Sequence, residues 1–226
     1  MQLDPSAVHD WPGDFGQARA IQEKLRQRVI TRDAFGPVHR IAGVDIGLDR
    51  ANNRAHAAVV VLDFDGLGLL EQATAHERIR CPYVPGYLSF REVPPILKAL
   101  EKLTAAPDLI ICDGQGIAHP RRFGLACHLG VLTGIATIGA AKSRLTGTFT
   151  EPGPDKGDWS PLMDGSDTIG AVLRTRTGVR PLYVSIGHKV SLQSAVRIVL
   201  ACCTRYRLPE TTRAADRLAS GEGKFC

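Results

Sequence analysis

The sequence lacks the cysteine patterns that define several classes of small protein. Its six cysteines include no Cys-x-x-Cys motif, and no Cys/His spacing typical of a zinc site is present. Several cysteines lie in apolar runs, such as residues 200–203, where cysteine packs as a small hydrophobic residue. The pattern excludes a small disulfide-bonded scaffold and is typical of a reducing compartment. We therefore expect a cytoplasmic location.

Signals for secretion or membrane insertion are also missing. The N-terminal sequence MQLDPSAVHDWPGDF has no basic segment followed by an apolar stretch, so no signal peptide is expected. Residues 123–141 contain no Asp, Glu, Lys or Arg, but four glycines, two threonines and His128 interrupt them. This stretch predicts a buried helix followed by a strand rather than a membrane span. No membrane partner is expected.

The chain has little excess charge. It carries 28 Lys and Arg against 23 Asp and Glu, a net charge of +5, and its pI is about 9.0. This mildly basic balance permits a polyanionic partner without establishing one. A hydrophobic fraction of 44% excludes global disorder and a collagen-like chain. The 226 residues suit one domain that buries roughly 70% of its unfolded surface, and we expect a monomer.

A change of hydrophobic period along the chain indicates its organisation. Residues 1–37 are predicted to form a helical N-terminal arm, with a helix over 17–30, packed on the rest of the domain. Residues 39–79 predict a three-stranded meander with a hairpin turn at 65–68. Helices then alternate with short apolar strands, so the expected fold class is α/β, a central mixed β-sheet flanked by helices. The remaining predicted elements are helices 93–103 (with Pro94 and Pro95 in its first turn), 120–130, 191–203 and 211–220, strands 108–112, 134–138 and 182–186, and a polar loop over 152–167.

Four carboxylates are candidates for a metal centre. Asp45 is the only charged residue in the β-rich run IAGVDIG, where burial is costly unless the group is paired or holds a cation. Asp113 follows a short apolar strand, the position at which open α/β sheets place their sites. Glu92 lies near the start of a predicted helix and Asp216 on the last helix. Oxygen ligands without Cys or His partners favour Mg²⁺ or Mn²⁺ over Zn²⁺.

Each of these carboxylates also has a purely structural alternative. Asp45 could be a turn residue or pair with an arginine, and Asp113 could cap the helix that follows it. Glu92 could complete a capping box that begins at Ser89. Asp216 could be a solvated charge on a helix surface.

Seven segments of the chain form an ordered set of motifs: IAGVDIG (41–47), PYVPGYLSFRE (82–92), DGQGIAHPRRFG (113–124), IGAAKSRL (138–145), SPLMD (160–164), GHKVSL (187–192) and RLPETTRAAD (207–216). In this order they resemble the motifs of the endonuclease V family, nucleases that act at deaminated bases. The resemblance covers nearly the whole chain, and its most specific parts are PYVPG before FRE and the segment DGQGIAHPRR. It implies a fold similar to that of ribonuclease H.

The resemblance implies a role for each matched side chain at the reacting centre. His119 matches a histidine that helps to handle the attacking water or a second metal, and Lys142 matches a lysine near the scissile phosphate. Asp216 matches a position near the metal that is Asp or His among relatives. The metal ligands so implied are Asp45, Asp113, Glu92 and Asp216, and the implied catalytic residues are Asp45, Glu92, Asp113, His119 and Lys142.

A second set of matched residues is expected to bind the substrate. Tyr83 matches a wedge that fills the gap left by an extruded base, and the two flanking prolines would hold it rigid. Glycines let the backbone approach that base closely, and arginines are candidate phosphate contacts. Gln115 stands where some members have His. The predicted substrate-binding residues are Pro82, Tyr83, Val84, Pro85, Gly86, Gly114, Gln115, Gly116, Arg121 and Arg122.

The expected activity is Mg²⁺-dependent DNA repair, with Mn²⁺ able to substitute. A divalent cation would neutralise the phosphodiester and activate water. The resemblance implies a nick 3′ to deoxyinosine, at the second phosphodiester bond beyond the lesion. The expected partner is DNA that contains deoxyinosine or another deaminated base, with inosine-containing RNA or branched or mismatched DNA as the alternative substrate.

Two other classes are disfavoured by the sequence. The tripeptide Asp45-Ile46-Gly47 resembles the phosphate-binding turn of actin-like ATPases and sugar kinases, but those proteins need two such domains and a second phosphate motif. A module that binds deaminated nucleic acid without cutting it would be supported by the loss of a metal carboxylate. All the expected carboxylates are present.

Overall fold

The computed structural model describes residues 3–49, 51–79, 82 and 84–221. Within these residues one mixed β-sheet is flanked by α-helices on both faces. The strands are β1 (Arg40–Asp49), β2 (Arg54–Asp63), β3 (Leu69–Arg78), β4 (Leu109–Cys112), β5 (Ala136–Ala141), β6 (Trp159–Asp164), β7 (Asp167–Leu173) and β8 (Leu182–His188). The helices are α1 (Phe15–Leu25, followed by a 3-10 turn over Arg26–Arg28), α2 (Leu88–Leu100), α3 (Leu125–Thr133), α4 (Leu192–Ala201) and α5 (Glu210–Ala219).

The strand order brings segments that are distant in sequence together at the centre of the sheet. The order is β3-β2-β1-β4-β5-β8-β7-β6. Strands β1, β4 and β5 are parallel neighbours, and the other pairings are antiparallel. The mixed sheet and the predicted meander β1-β2-β3 are thus confirmed. Because β4 runs between two parallel neighbours and is buried on both faces, its sequence LIIC is uniformly apolar.

Two apolar clusters hold the helices against the two faces of the sheet. The first joins α2 and α3 to one face and includes Val93, Ile96 and Leu129; Leu25 of α1 belongs to it as well. The second joins α4 and α5 to the opposite face, through Val199 and Ala215 for example. Helix α5 lies so close to β1 that a Cβ atom on Gly43 would overlap the backbone carbonyl of Thr211. The close approach places the carboxylate-bearing helix directly over the central strand.

The prediction that Pro94 and Pro95 lie in the first turn of their helix is wrong. Helix α2 begins at Leu88, so both prolines lie in its interior. A proline there removes a backbone donor and normally costs several kcal/mol. Burial of Pro95 and of its neighbour Ile96 in the core is the compensating interaction. The early start of α2 brings Glu92 inside the helix, and it excludes the capping-box alternative because Tyr87 is the N-cap residue.

Two further boundaries differ from the predicted ones. Helix α3 begins at Leu125 rather than at Pro120, and turns occupy the intervening residues. Residues 152–167 were expected to form a polar loop, but their second half contains β6 and the start of β7. Strand β6 is an edge strand, where Pro161 is tolerated because no neighbour requires its missing N–H. The cap alternative for Asp113 is excluded, because Gly124 is the N-cap of α3.

No helix in the described ranges is both long enough and apolar enough to span a membrane. Four of the cysteines, at positions 112, 127, 202 and 203, are free and buried. Burial raises the pKa of Cys127, Cys202 and Cys203 to about 12, so these thiols are unreactive packing groups.

Candidate active site

The carboxylates come together where the parallel strands end. Val44 of β1 is paired with Cys112 of β4, so the next residues, Asp45 and Asp113, lie side by side. Asp216 of α5 and Glu92 of α2 lie near the same point. The charge of Asp216 raises the pKa of Asp45, and the charge of Asp45 raises the pKa of Glu92. The four carboxylates predicted from sequence thus form one acidic cluster.

The electrostatics of this cluster are unfavourable without a counterion. Burial, followed by the charges of Asp113 and Asp216, raises the pKa of Asp45 to about 7. Burial, followed by the charge of Asp45, raises the pKa of Glu92 to about 8, although Arg91 acts in the opposite direction. Like charges that share a partly buried site disfavour ionisation of one another. A cation at this point would relieve that repulsion.

Lys142 supplies one positive charge to the cluster. Its Nζ atom lies 2.5 Å from Oδ2 of Asp113. Burial by itself lowers the pKa of Lys142, but the bond to Asp113 and the charges of Asp216 and Asp45 raise it overall. The ammonium group is therefore firmly protonated. Since one lysine faces four carboxylates, the cluster remains anionic.

The donor set fits a hard divalent cation. Carboxylate oxygens without thiolate or imidazole partners are the ligands that Mg²⁺ and Mn²⁺ prefer. Among the described residues no three His, Cys, Asp or Glu side chains are arranged so that they could hold a metal ion together. Mg²⁺ usually retains several waters and takes only one or two protein carboxylates, so an open arrangement suits it. Asp45 and Asp113, adjacent on rigid strands, are the best placed of the four.

A cavity of about 270 Å³ opens next to the acidic cluster. Asp113 and Lys142 form part of its wall, so the reacting centre and the cavity share side chains. Pro85, Gly86, Gly114, Gln115 and His119 from the predicted substrate-binding and catalytic sets also line it. The remaining lining residues are Leu88, Ser89, Gly124, Leu125, Ala141, Ser143, Arg144 and Leu145. Small and apolar residues make up about half of this wall, and polar or charged side chains make up the rest, which suits a flat ligand with a polar edge.

Gly86 is held in place by three side chains. Its backbone has φ +84°, a left-handed conformation that favours glycine. Its carbonyl oxygen lies 3.0 Å from Nε2 of Gln22, 3.0 Å from Nε2 of His119 and 2.6 Å from the guanidinium of Arg121. The segment PYVPG is therefore tied both to the N-terminal helix α1 and to the loop that follows Asp113.

Tyr83, the predicted wedge, lies outside the described residues. Of its neighbours, Pro82 and Pro85 are exposed and Val84 is partly buried. Pro82 contacts a shallow pocket that also includes Phe15 and Tyr87. The wedge role of Tyr83 stays a prediction.

Both ring nitrogens of His119 already have protein partners. Its Nδ1 atom accepts a hydrogen bond from the backbone N–H of Arg121 at 3.1 Å, so Nε2 is the donor to Gly86. Burial, followed by the charge of Arg121, lowers the pKa of His119 to about 4. The ring is neutral and acts here as a positioning group for the loop. A direct role on water requires one of these bonds to open, and that role stays a prediction.

The two arginines predicted to contact phosphate are engaged with the protein. Arg121 binds Gly86 and Gln22, and its guanidinium lies 4.2 Å from the ring centroid of Tyr87. Arg122 forms an ion pair at 2.8 Å with Asp164 at the end of β6. Both side chains thus brace the walls of the site, and their phosphate contacts stay predictions.

The glycine-rich turn after Asp113 is packed more tightly than its predicted role requires. A Cβ atom on Gly116 would overlap the backbone carbonyl of Ile186, so this glycine is needed for packing on β8. Gly114 instead faces the cavity beside Leu125. Gln115 donates to the carbonyl of Ser143 at 2.9 Å, while its Oε1 atom is buried without a partner among the described residues.

Two residues of the N-terminal arm are linked to the cavity wall by hydrogen bonds, Gln22 directly to Gly86 and His9 through His128, and the sequence predicts neither link. Gln22 is fully buried and also donates to the carbonyl of Phe123. His9 is hydrogen-bonded to the buried His128, which in turn contacts Ser89 of the cavity. The only signal in the sequence was a glutamine on the apolar side of a predicted helix. That signal alone does not reveal which distant carbonyl the glutamine binds.

The mixed sheet, with carboxylates on its central strand and on the adjoining strand end, defines a ribonuclease H-like α/β protein with an acidic centre. Comparison with known proteins identifies the family. A profile of the endonuclease V family matches residues 23–217. The chain belongs to the endonuclease V family, a family of nucleases.

The similarity to individual relatives extends over almost the whole chain. The chain is 59% identical to endonuclease V of Roseiflexus castenholzii over 219 residues, which are 96% of this chain and 97% of that protein. The crystal structure of endonuclease V from Streptomyces avermitilis superposes with a TM-score of 0.89 at 49% identity and covers 92% of each chain. Ciona intestinalis endonuclease V, in complex with a DNA containing an inosine followed by a ribo-adenosine, gives a TM-score of 0.81 at 30% identity, covering 92% of this chain and 96% of that one.

Proposed function

We propose that this protein is a DNA repair endonuclease that nicks a strand 3′ to deoxyinosine, at the second phosphodiester bond beyond the lesion. The observation that carries the proposal is one juxtaposition: Asp113 and Lys142 belong to the acidic cluster and also line the cavity beside it. Membership of the endonuclease V family supports it, as does the inosine-containing DNA in the complex of the Ciona relative.

The acidic cluster would hold the divalent cation. Asp45 and Asp113 are the principal ligands, with Glu92 and Asp216 at the edge of the site, and Mg²⁺ is the expected ion with Mn²⁺ as a substitute. When bound, such an ion neutralises a non-bridging phosphate oxygen, lowers the pKa of water and stabilises the leaving oxyanion. Lys142, which remains protonated, would move from Asp113 toward the scissile phosphate and add positive charge there.

The cavity would take the base out of the duplex. Extrusion costs a few kcal/mol, and less at a mismatch, so damaged pairs are favoured from the start. Tyr83 would fill the vacated space, since the segment that bears it is anchored through Gly86. Backbone N–H groups near Gly114 could reach the carbonyl oxygen of hypoxanthine. Recognition of the base would then be coupled to cleavage of the strand, because Asp113 belongs to the acidic cluster and also lines the cavity.

The test is a nicking assay on a labelled duplex with one deoxyinosine. With Mg²⁺ we expect one product, whose length places the cut at the second bond 3′ of the lesion, and no product with EDTA or on an undamaged duplex. Asp113→Asn should reduce cleavage by at least roughly a hundredfold, because loss of a group that merely orients a metal ligand already costs about 10–100-fold and Asp113 is a proposed ligand itself. A nick that persists in EDTA, or equal cutting of the undamaged duplex, would refute the proposal.

Inosine in RNA is the second candidate substrate. The Ciona relative was crystallised with a ribonucleotide directly after the inosine, and neither the acidic cluster nor the cavity requires a 2′-hydroxyl to be absent. The same assay should therefore include a strand with one ribonucleotide after deoxyinosine and an all-RNA strand with inosine. Faster cutting of the all-RNA strand would assign the protein mainly to RNA, whereas faster cutting of the mixed strand alone would show that one 2′-hydroxyl beyond the lesion promotes cleavage of DNA.

A further inference from the structure

A chain of hydrogen bonds runs from the N-terminal arm to the wall of the cavity. The Nδ1 atom of His9 lies 2.8 Å from the backbone carbonyl oxygen of Asp10. The Nε2 atom of His9 lies 2.8 Å from Nε2 of His128, and Nδ1 of His128 lies 3.0 Å from the hydroxyl of Ser89. Ser89 lines the cavity next to Gly86 and Leu88. Three side chains thus connect a backbone carbonyl near the surface with the proposed base site.

The chemistry of these groups determines the direction of every bond in the chain. A carbonyl oxygen can only accept, so Nδ1 of His9 carries a proton. In a neutral ring Nε2 of His9 is then an acceptor, and Nε2 of His128 must donate to it. The second nitrogen of His128 is consequently an acceptor, and the hydroxyl proton of Ser89 points to it. The lone pairs of Ser89 that remain can only accept.

The surroundings favour the neutral form of both rings. His128 is fully buried, and the ring centroids of Phe90 and Phe123 lie 5.0 and 5.3 Å from its own. Burial lowers the pKa of His128 well below its ordinary value, and burial also lowers that of His9. The charges that act on His9, those of Asp10 and Lys24, are opposite in sign. A proton added to His9 would reverse the whole chain and turn Ser89 into a donor.

The direction of the chain matters for the choice of base. Hypoxanthine has a ring N–H beside a carbonyl, whereas adenine has a bare ring nitrogen in the same place. A hydrogen-bond acceptor in the cavity wall can bind the ring N–H of hypoxanthine. Opposite the bare ring nitrogen of adenine, the same acceptor has no donor to bind. A buried polar group left without a partner is expected to lower affinity about tenfold, which corresponds to about 1.4 kcal/mol.

We propose that His9 and His128 hold Ser89 as a hydrogen-bond acceptor in the cavity, and that this polarity makes the site favour bases with a ring N–H. The inference rests on the proposed function, since it assumes that the cavity receives the base. His9 and His128 are positioning residues, and Ser89 is the residue that contacts the base.

The first test is independent of activity. Nitrogen NMR of the histidine-labelled protein distinguishes protonated from bare ring nitrogens. We expect His128 with a protonated Nε2 and a bare Nδ1, and His9 with a protonated Nδ1. A protonated Nδ1 on His128 at neutral pH would overturn the inference, whatever the protein cuts.

The second test compares two substrates across matched variants. Deoxyinosine offers a ring N–H, whereas deoxynebularine, a purine with hydrogen at C6, has a bare ring nitrogen. His9→Phe keeps an aromatic ring but no hydrogen bond, and we expect the ratio of kcat/KM for deoxyinosine over deoxynebularine to fall about tenfold. Ser89→Ala should lower the same ratio as much, and the double variant should lower it no further.

Trp11→Phe is the control, because Trp11 packs at 4.9 Å from the ring of His9 and takes no part in the chain. Its substrate ratio should equal that of the unaltered protein. If His9→Phe slows both substrates equally, the chain is only structural and the inference is wrong. If the unaltered protein cuts neither substrate, the proposed function fails instead. The NMR result, with the relative affinity of the two oligonucleotides in EDTA, then decides the inference.

Discussion

Asp45 lies within a sheet strand, yet its neighbours on the adjoining strand and helix are also acids. Burial and the charges of Asp113 and Asp216 raise its pKa to about 7, so at alkaline pH its ionised form opposes folding when no cation is present. A residue kept at a cost to stability is typical of a functional site. The interaction that compensates is the one with the expected metal ion.

Asp45→Asn tests this at the level of a single side chain. In EDTA at about pH 8.5 we expect the variant to be more stable than the unaltered protein by about 2 kcal/mol, after allowance for solvent screening, because it removes one like charge. Addition of Mg²⁺ should raise the unfolding temperature of the unaltered protein and leave that of the variant nearly unchanged. Thermal unfolding followed by circular dichroism measures both effects.

Asp65→Asn is the matched control for this experiment. Asp65 is exposed in the turn between β2 and β3, so its neutralisation should change neither the stability in EDTA nor the response to Mg²⁺. Equal behaviour of the two variants would show that Asp45 is neither repelled by its neighbours nor a ligand.

At the scale of elements, α1 acts on the site through one buried side chain. Gln22 donates to the carbonyl of Gly86 at 3.0 Å and to that of Phe123 at 3.2 Å, and its Oε1 atom accepts from Arg121 at 2.5 Å. The helix itself is amphipathic and buries Ala18 and Leu25 on the same side. One helix thus joins the segment that carries the predicted wedge to the loop that carries His119.

Gln22→Met should remove the hydrogen bonds that connect these two segments without creating a cavity. The substitution is close in volume but removes all three hydrogen bonds and leaves polar partners unsatisfied, so we expect a loss of about 1–3 kcal/mol in unfolding free energy. Discrimination between deoxyinosine and undamaged duplexes should fall more than the maximal rate, because the anchor of Gly86 is weakened while the acidic cluster is untouched. Urea unfolding and steady-state nicking kinetics measure the two quantities.

Glu23→Gln is the control on the same helix. Glu23 lies on the exposed side, where it pairs with Arg19, and exposed pairs of this kind contribute little to stability. Unchanged discrimination in Gln22→Met, with normal discrimination in Glu23→Gln, would mean that the brace is structural only.

The element boundaries that were predicted wrongly have a common cause. Helix α2 tolerates Pro94 and Pro95 in its interior because the core packs against that turn. Strand β6 forms within a polar, Pro- and Gly-rich segment because β7 pairs with it, and β7 is itself paired with β8. In both cases a contact with a distant segment outweighs the local preference.

At the scale of the whole molecule, two sets of buried titratable groups oppose each other. Burial lowers the pKa of five histidines, to about 4 for His119 and His188; the five are His9, His56, His119, His128 and His188. Burial and like charges raise the pKa of Asp45 and Glu92 to about 7 and about 8. The histidines favour folding at neutral pH, whereas the two carboxyls favour it at acid pH.

The balance predicts a stability maximum for the metal-free protein. Below about pH 6.5 the histidines of the unfolded chain bind protons that the folded protein does not bind. These protons outnumber those held by the two carboxyls of the folded protein, so the free energy of unfolding decreases as the pH falls. Above about pH 7 the folded carboxyls must ionise, so stability falls again as pH rises through their pKa values. Mg²⁺ should abolish the alkaline decline and leave the acid decline unchanged. Unfolding temperatures in EDTA that rise steadily from about pH 6 to about pH 9 would contradict the predicted maximum.

The sequence by itself determined the fold class, the family and the carboxylates. The apolar period, the turn residues, the single charge in IAGVDIG and the Asp that follows the apolar strand 108–112 are local features, which a sequence shows directly. The ordered motifs of the endonuclease V family were equally visible. The meander, the buried strand β4 and the last helix follow from the same local information.

Only the tertiary structure decided how these side chains are used. The pairing of Val44 with Cys112 makes neighbours of Asp45 and Asp113, and the helix over Gly43 brings in Asp216. Hydrogen bonds across long sequence separations assign the partners of Gln22, His9 and His119. The physical reason is that burial and hydrogen-bond geometry depend on distances between segments, and those distances exist only after the sheet has formed.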